Sequence, residues 1–171
     1  MDLLALRNLT YGLFIACTKA GDGKFAGCTI NSAAQAASDP PLISICVNRD
    51  NFTNACIREA KGFSVSILSQ DCTFETIGRF GFRSGRTFDK FAGFPYALSP
   101  AGFPLIETGA CGWLECALEN TLELGTHTLF VGRLTDCAPA PGIPMTYDYY
   151  HKVIKGKTPP SAPSYEKPGA G

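Results

Sequence analysis

The chain has no excess of either charge, no long apolar run and very little histidine, and each shortage excludes a class of function. Fifteen basic residues balance fifteen acidic ones. A general nucleic-acid binder carries a basic surplus, so that class is set aside, although one local basic pocket stays open. No apolar stretch reaches the ~18 residues that span a bilayer. Met1 to Arg7 place no basic region ahead of an apolar stretch, so they do not read as a secretory signal. The expectation is a cytoplasmic protein without a membrane partner. The only histidines are His127 and His151, and no acidic cluster accompanies either, which argues against a metal site. No G-x-G-x-x-G follows a strand pattern, and neither a Walker A sequence nor a G-x-S-x-G elbow occurs. A nucleotide bound here is therefore held by neither a Rossmann turn nor a P-loop.

Cysteine, by contrast, is plentiful: Cys17, Cys28, Cys46, Cys56, Cys72, Cys111, Cys116 and Cys137. No pair has the C-x-x-C spacing of a zinc or iron–sulfur site, and the nearest pair is Cys111 and Cys116. Most are expected to be reduced, buried small hydrophobes. With 171 residues, 45% hydrophobic and 18% charged, the chain has the size and composition of one folded domain. We place that domain at residues 1–154 and an extended, basic, proline-rich tail at 155–171.

Along the chain, Leu3 to Leu9 suits a short helix, and Tyr11 to Thr18 reads as a strand by its aromatic and β-branched content. Gly21-Asp22-Gly23 is a turn. Phe25 to Ser32 is extended, and Asp39-Pro40-Pro41 forces a non-helical backbone. Leu42 to Val47 is a strand apolar enough for burial on both faces. Asn51 to Ala60 reads as a helix capped by Asn48 or Asp50, with Gly62 just past its end. Phe63 to Leu68 alternates as a half-buried strand, and Asp71 to Phe80 reads as a helix capped by Asp71. Gly81 to Gly109 is loop with one or two short strands. Cys111 to Thr121 and Thr126 to Asp136 are strands joined near Leu124-Gly125, and Thr146 to Ile154 is a short helix or strand. Short strands dominate, so the expected class is mainly β, a β-barrel with inserted helices.

Four segments could carry chemistry. Asn48-Arg49-Asp50-Asn51-Phe52-Thr53-Asn54 joins a buried strand to a helix N-terminus, where unpaired backbone N–H groups favour an anion. Arg49 adds a fork of donors suited to phosphate, and Thr53 a hydroxyl. The plainer alternative is a capped helix start with a surface arginine. In Gly27-Cys28-Thr29-Ile30-Asn31-Ser32-Ala33, small side chains allow a flat ring to approach the backbone, with Thr29 and Asn31 able to read its polar atoms; the alternative is a strand with a polar face. Arg79 to Phe91 interleaves Arg79, Arg83, Arg86 and Lys90 with phenylalanines, which suits an anionic aromatic ligand or an amphipathic surface loop. His127 enters a strand in Gly125 to Gly132, as a structural or a functional histidine.

Taken in order, Leu9-Thr10-Tyr11-Gly12-Leu13, Thr29-Ile30-Asn31-Ser32, Ser38-Asp39-Pro40-Pro41, Val47 to Thr53, Ile77 to Phe82, Gly125 to Gly132 and Lys155-Gly156-Lys157-Thr158-Pro159 resemble the flavin reductase-like family. The likeness is strongest to its archaeal ferric reductases and to the flavin domain of high-molecular-weight rubredoxins and flavoredoxins. It implies an FMN-binding split β-barrel, a homodimer, and non-covalent FMN near the subunit interface. It implies Thr29, Asn31 and Ser32 along the ring and ribityl chain and a phosphate site from Asn48, Arg49 and Thr53, with Arg79, Arg86 or Lys90 as further contributors; Ile30 and Asn51 join them as cofactor-binding residues. His127 is then the residue nearest the chemistry. The implied activity is hydride acceptance from NADH or NADPH, with electrons passed to free flavin, ferric iron or a rubredoxin-like protein. The alternative within the family is an electron carrier of the flavoredoxin type, without a nicotinamide site of its own.

Overall fold

A computed structural model of the chain describes residues 3–157. Among them, short β-branched and aromatic runs form nine strands and three α-helices. After a 3-10 helix at Leu3–Asn8 come β1 (Phe14–Lys19), β2 (Phe25–Ile30), β3 (Ala33–Ser38), β4 (Pro41–Asn48) and α1 (Phe52–Ala60). Then follow β5 (Gly62–Leu68), α2 (Phe74–Gly81), β6 (Ala97–Leu98), β7 (Pro104–Leu105), β8 (Ala110–Leu124), β9 (His127–Pro139) and α3 (Tyr147–Lys152).

Seven strands make one antiparallel sheet in the order β2-β1-β5-β8-β9-β4-β3. Its two outer strands, β2 and β3, are consecutive in the chain and joined only by Asn31 and Ser32. Covalent continuity holds these two edges together, so the sheet curls into a barrel. At the seam the Cys46 amide donates to the Ser32 carbonyl at 3.1 Å. The expected β-barrel with inserted helices is borne out.

The period of two along β1 separates two apolar clusters. Ala16 joins Ile45, Phe63, Val65 and Phe130 in one of them, to which α1 adds Ile57. Ile15 and Cys17 join the other, where α2 contributes Ile77 and Phe80 and the following loop contributes Phe91.

Several local expectations need correction. Asn51, rather than Asn48 or Asp50, caps α1: its side chain accepts from the Thr53 amide at 3.0 Å. Lys61, at φ 55°, ends that helix, and Gly62 already belongs to β5. Gly62 answers to close packing, since a Cβ there would lie 2.6 Å from the Phe103 ring. Thr73, not Asp71, caps α2, accepting from the Thr76 amide at 3.2 Å. β5 is not half exposed. Ser64 and Ser66 are wholly buried, Ser64 Oγ donating to the Pro104 carbonyl at 2.5 Å and Ser66 Oγ accepting from the Ile106 amide at 2.9 Å. The loop between α2 and β8 covers a face that alternation alone assigns to water. Thr146 to Ile154 resolves as the helix α3.

Five cysteines are buried, Cys46 and Cys111 are half-buried and Cys137 is exposed. Burial pushes the Cys72 and Cys116 thiols up to about 12, so they pack as neutral groups. Lys155–Lys157, expected to begin an extended tail, turn back on α3 instead. Lys155 has φ 56°, the Gly156 amide donates to the Tyr150 carbonyl at 3.0 Å, and the Tyr150 hydroxyl donates to the Lys157 carbonyl at 3.2 Å. The rest of the expected tail, and Met1 and Asp2, lie outside the described residues. Among those residues no helix is long and apolar enough to cross a membrane.

Candidate functional site

A cleft opens at the barrel seam. One wall is the end of β2: Cys28, Thr29 and Ile30, followed by Asn31. The Thr29 hydroxyl donates to the Ile77 carbonyl at 3.0 Å and so ties this wall to α2. Gly81, at the end of α2, also lines the cleft, and a Cβ there would lie 3.4 Å from Thr29 Cβ and Oγ1. A Cβ there would make ordinary van der Waals contact with Thr29, so Gly81 leaves a little more room where β2 meets α2. Asn31 is nearly fully buried within the lining. Ser32 lies just beyond the lining, its hydroxyl directed to the Cys46 carbonyl at 3.5 Å. Burial pushes the Cys28 thiol up, which leaves a neutral group in the wall.

A second part of the lining comes from the end of β4 and the start of β9. Asn48 and His127 face each other as register partners, and both line the cleft together with Asn51. His127 Nδ1 lies 2.9 Å from Thr126 Oγ1. The turn into α1 uses its amides internally. Asp50 N–H donates to Asn48 Oδ1 at 2.9 Å and Asn51 N–H to the Asn48 carbonyl at 3.1 Å. Thr53 N–H donates to Asn51 Oδ1 at 3.0 Å and Asn54 N–H to the Asn51 carbonyl at 3.0 Å. The unpaired donors that would cradle a phosphate at this helix start are thus largely engaged. Thr53 is buried beside the Cys28 thiol. Arg49 points to the end of β8 and the turn that follows it, donating to the Gly125 carbonyl at 3.1 Å and pairing with Glu123 at 3.3 Å. Of the expected phosphate set, Asn48 reaches the cleft, as does the cofactor-binding candidate Asn51, while Arg49 and Thr53 are absent from its lining.

The cation-and-aromatic segment is a packing device. Arg79 donates to the Lys90 carbonyl at 2.5 Å and the Ala92 carbonyl at 2.6 Å, and lies over the Phe88 and Phe94 rings. Arg86 lies over Phe52, 5.7 Å from its centroid. Lys90 is buried, with Nζ on two backbone carbonyls. None of the three lines the cleft.

The lining also holds residues outside the expected site set, among them Phe82, Tyr147, Tyr150 and Lys157. Tyr147 and Tyr150 stand at i and i+3 on α3, a spacing that puts both on one side of a helix. Their rings stack at 6.0 Å with 13° between planes. Burial, and then the neighbouring Tyr147, raise the Tyr150 pKa, so its phenol stays a donor. Lys157 is delivered by the turn at Lys155 and Gly156, and a Cβ at Gly156 would collide with the Tyr150 ring.

This donor set fits a flat heteroaromatic ring with polar edges. Small groups on β2 and α2 form one face, tyrosines lie nearby, and Asn31, Asn48, Asn51 and His127 offer hydrogen bonds. Residues 6–155 match the flavin reductase-like domain. The chain belongs to that family. As a member, it is 45% identical over 166 residues to the high molecular weight rubredoxin of Moorella thermoacetica, covering 96% of this chain and 72% of that protein. It is 37% identical over 166 residues to the ferric-chelate reductase (NAD(P)H) of Archaeoglobus fulgidus, covering 96% and 98%. Among solved structures, the FMN-binding protein of Thermus thermophilus superposes with a TM-score of 0.71 at 25% identity, covering 82% of this chain and 83% of that one. The expected family and its split-barrel fold are borne out.

Proposed function

We propose that this protein is an NAD(P)H-dependent flavin oxidoreductase that holds FMN non-covalently in the seam cleft and passes electrons to a small acceptor. The observation that carries the reading is the lining itself: the small residues Thr29 and Gly81 where β2 meets α2, beside the side chains of Asn31, Asn48, Asn51 and His127. Membership of the flavin reductase-like family supports the class of reaction. Bound FMN supplies a ring that accepts hydride from a reduced nicotinamide and releases electrons singly or in pairs.

The chain's own part is to bind and orient. β2 is an edge strand of the sheet order, so it presents backbone groups that its neighbour β1 does not use. Together with Thr29, Ile30 and Asn31, these groups line the ring. Asn48, Asn51 and Lys157 serve the polar end; Lys157 is the sole lysine of the lining among the described residues, which suits the single phosphate of FMN. His127, in the same lining beside Asn48, positions the incoming nicotinamide or donates to it, and no protein nucleophile is required. The acceptor is a ferric chelate, free flavin or a rubredoxin-like protein. A homodimer is supported by the C-terminal half of β8, which is exposed and carries Leu122 and Leu124, 56% and 45% exposed.

Anaerobic titration of the FMN-loaded protein with NADH and with NADPH tests the reading. Bleaching of the flavin absorbance is expected. Bound FMN that stays oxidised under excess of both nucleotides would remove the nicotinamide step and leave an electron carrier. In stopped flow, His127→Ala should slow reduction by about 10- to 100-fold, the range of a positioning contribution, while FMN affinity changes little. An unchanged rate removes His127 from that role.

A further inference from the structure

Lys90 is a charge buried inside the protein, 3% exposed. Its Nζ donates to the Gly27 carbonyl and to the Phe80 carbonyl, both at 2.8 Å. No carboxylate among the described residues forms an ion pair with it. The adjacent Asp89 instead accepts from the Phe91 and Ala92 amides. The groups that sense the ammonium are the Cys17 and Cys28 thiols, and burial keeps both neutral. A buried cation with carbonyl partners but no anion is an unusual expense for a fold.

Its position suggests what the charge is for. Gly27 directly precedes Cys28 on β2, and Phe80 directly precedes Gly81 on α2; Cys28 and Gly81 both line the cleft. The ammonium therefore sits behind the junction of β2 and α2, one residue removed from the cleft along each element. It is screened from water, so its field acts through a medium of low dielectric. It is also fixed in place by two hydrogen bonds, so it needs no rearrangement when charge appears nearby.

We propose that Lys90 is the preorganised positive charge that stabilises the negative charge gained by the ring bound in the seam cleft, setting its reduction potential without touching it. Lys90 is then an electrostatic positioning residue and not a phosphate ligand. The inference rests on FMN being the ligand of that cleft.

The experiment uses the full chain and begins with FMN titration of the unaltered protein. Failure to bind FMN overturns the cofactor reading itself, and this inference with it, before Lys90 is changed. Lys90→Gln retains two N–H donors for the two carbonyls and removes the charge. Its expected signature is an affinity for oxidised FMN within about threefold of the parent, with a lower midpoint potential. The fall corresponds to roughly tenfold weaker preference for the reduced ring, about 30 mV for a two-electron couple. Lys90→Arg keeps the charge and should keep the potential near that of the parent. An unchanged potential in a Gln variant that binds FMN overturns the proposal, and so does an Arg variant whose potential falls as far as that of Gln. Should Lys90→Gln fail to fold, Cys17→Asp supplies an anion beside the ammonium with Lys90 left in place. It too should lower the potential, and a potential equal to the parent's overturns the proposal.

Discussion

Replacing Glu115 with glutamine removes one charge from the buried wall of the barrel and hardly changes its shape. Glu115 lies on β8, 3% exposed. Its Oε2 accepts from the Ala101 amide at 2.7 Å and its Oε1 from the Thr135 hydroxyl at 2.6 Å, which ties the β6–β7 turn and β9 to β8. Burial alone raises the pKa of this carboxyl. Hydrogen bonds from Ser99, Thr135 and the Ala101 amide, with the charge of Lys19, more than offset burial and hold it below the usual carboxylate range. Glutamine offers one acceptor oxygen where the carboxylate offers two, so one donor loses its partner. A hydrogen bond to a charged group contributes about 1.5–3 kcal/mol, so the loss is about 2 kcal/mol. For a domain of this size that lowers Tm by roughly 4–8 °C. Thermal unfolding followed by circular dichroism at pH 7 measures it. The sign of the pH dependence follows from the lowered pKa: the stabilisation is full above the ordinary value of 4.5 and is lost as pH falls through the lower folded-state value. The gap between parent and Glu115→Gln should therefore hold from pH 7 down to that ordinary value and close below it. A gap that persists undiminished in acid, or no gap at pH 7, refutes the reasoning. FMN affinity should not move, because Glu115 is not part of the cleft lining.

The remaining predictions concern the core and the helix caps. Phe63 is fully buried in the cluster shared by β5, β4 and β9, so Phe63→Ala should cost about 3–5 kcal/mol, read as a lower urea midpoint; a loss under about 1 kcal/mol would show that the site collapses. Asn51→Ala removes the cap of α1 and a lining residue of the cleft, so it should lower stability by about 1 kcal/mol and weaken FMN binding as well. Thr73→Ala removes the cap of α2 for a similar stability loss with unchanged FMN affinity, and equal effects of the two variants on binding would take Asn51 out of the site.

The barrel was legible because its signals are local. Proline and glycine turns bracket short apolar runs, and each run from Tyr11 to Asp136 that reads as a strand contributes one. β5 shows where local reading fails. Its Ser-Val-Ser alternation promises a wet face, yet Ser64 and Ser66 bond the backbone of residues 104 and 106, about forty positions away. Short hydroxyl side chains satisfy themselves on a covering loop as readily as on water, and nothing within the strand records which will happen. The caps shifted by one to three residues for a smaller reason. Asn48, Asp50 and Asn51 are all capable of capping, and backbone geometry at Asn51, with φ −71° and ψ 133°, selects it.

The same contrast divides the candidate site. Thr29, Ile30 and Asn31, and the turn residues Asn48 and Asn51, reach the cleft because their own strand ends and turn place them there. The cations are different: their long side chains go to whatever acceptors the fold brings near. Arg49 reaches Gly125, 76 residues away, and Lys90 reaches Gly27, 63 residues away. A basic residue beside a helix start therefore signals phosphate only when no carbonyl or carboxylate lies closer. Lys157 is the converse case. It enters the cleft lining because Lys155 adopts a left-handed backbone and Gly156 has no side chain to strike Tyr150. A stretch that reads as tail by composition thus enters the cleft lining, and the feature that marks it is the glycine, whose missing Cβ lets the chain double back onto α3.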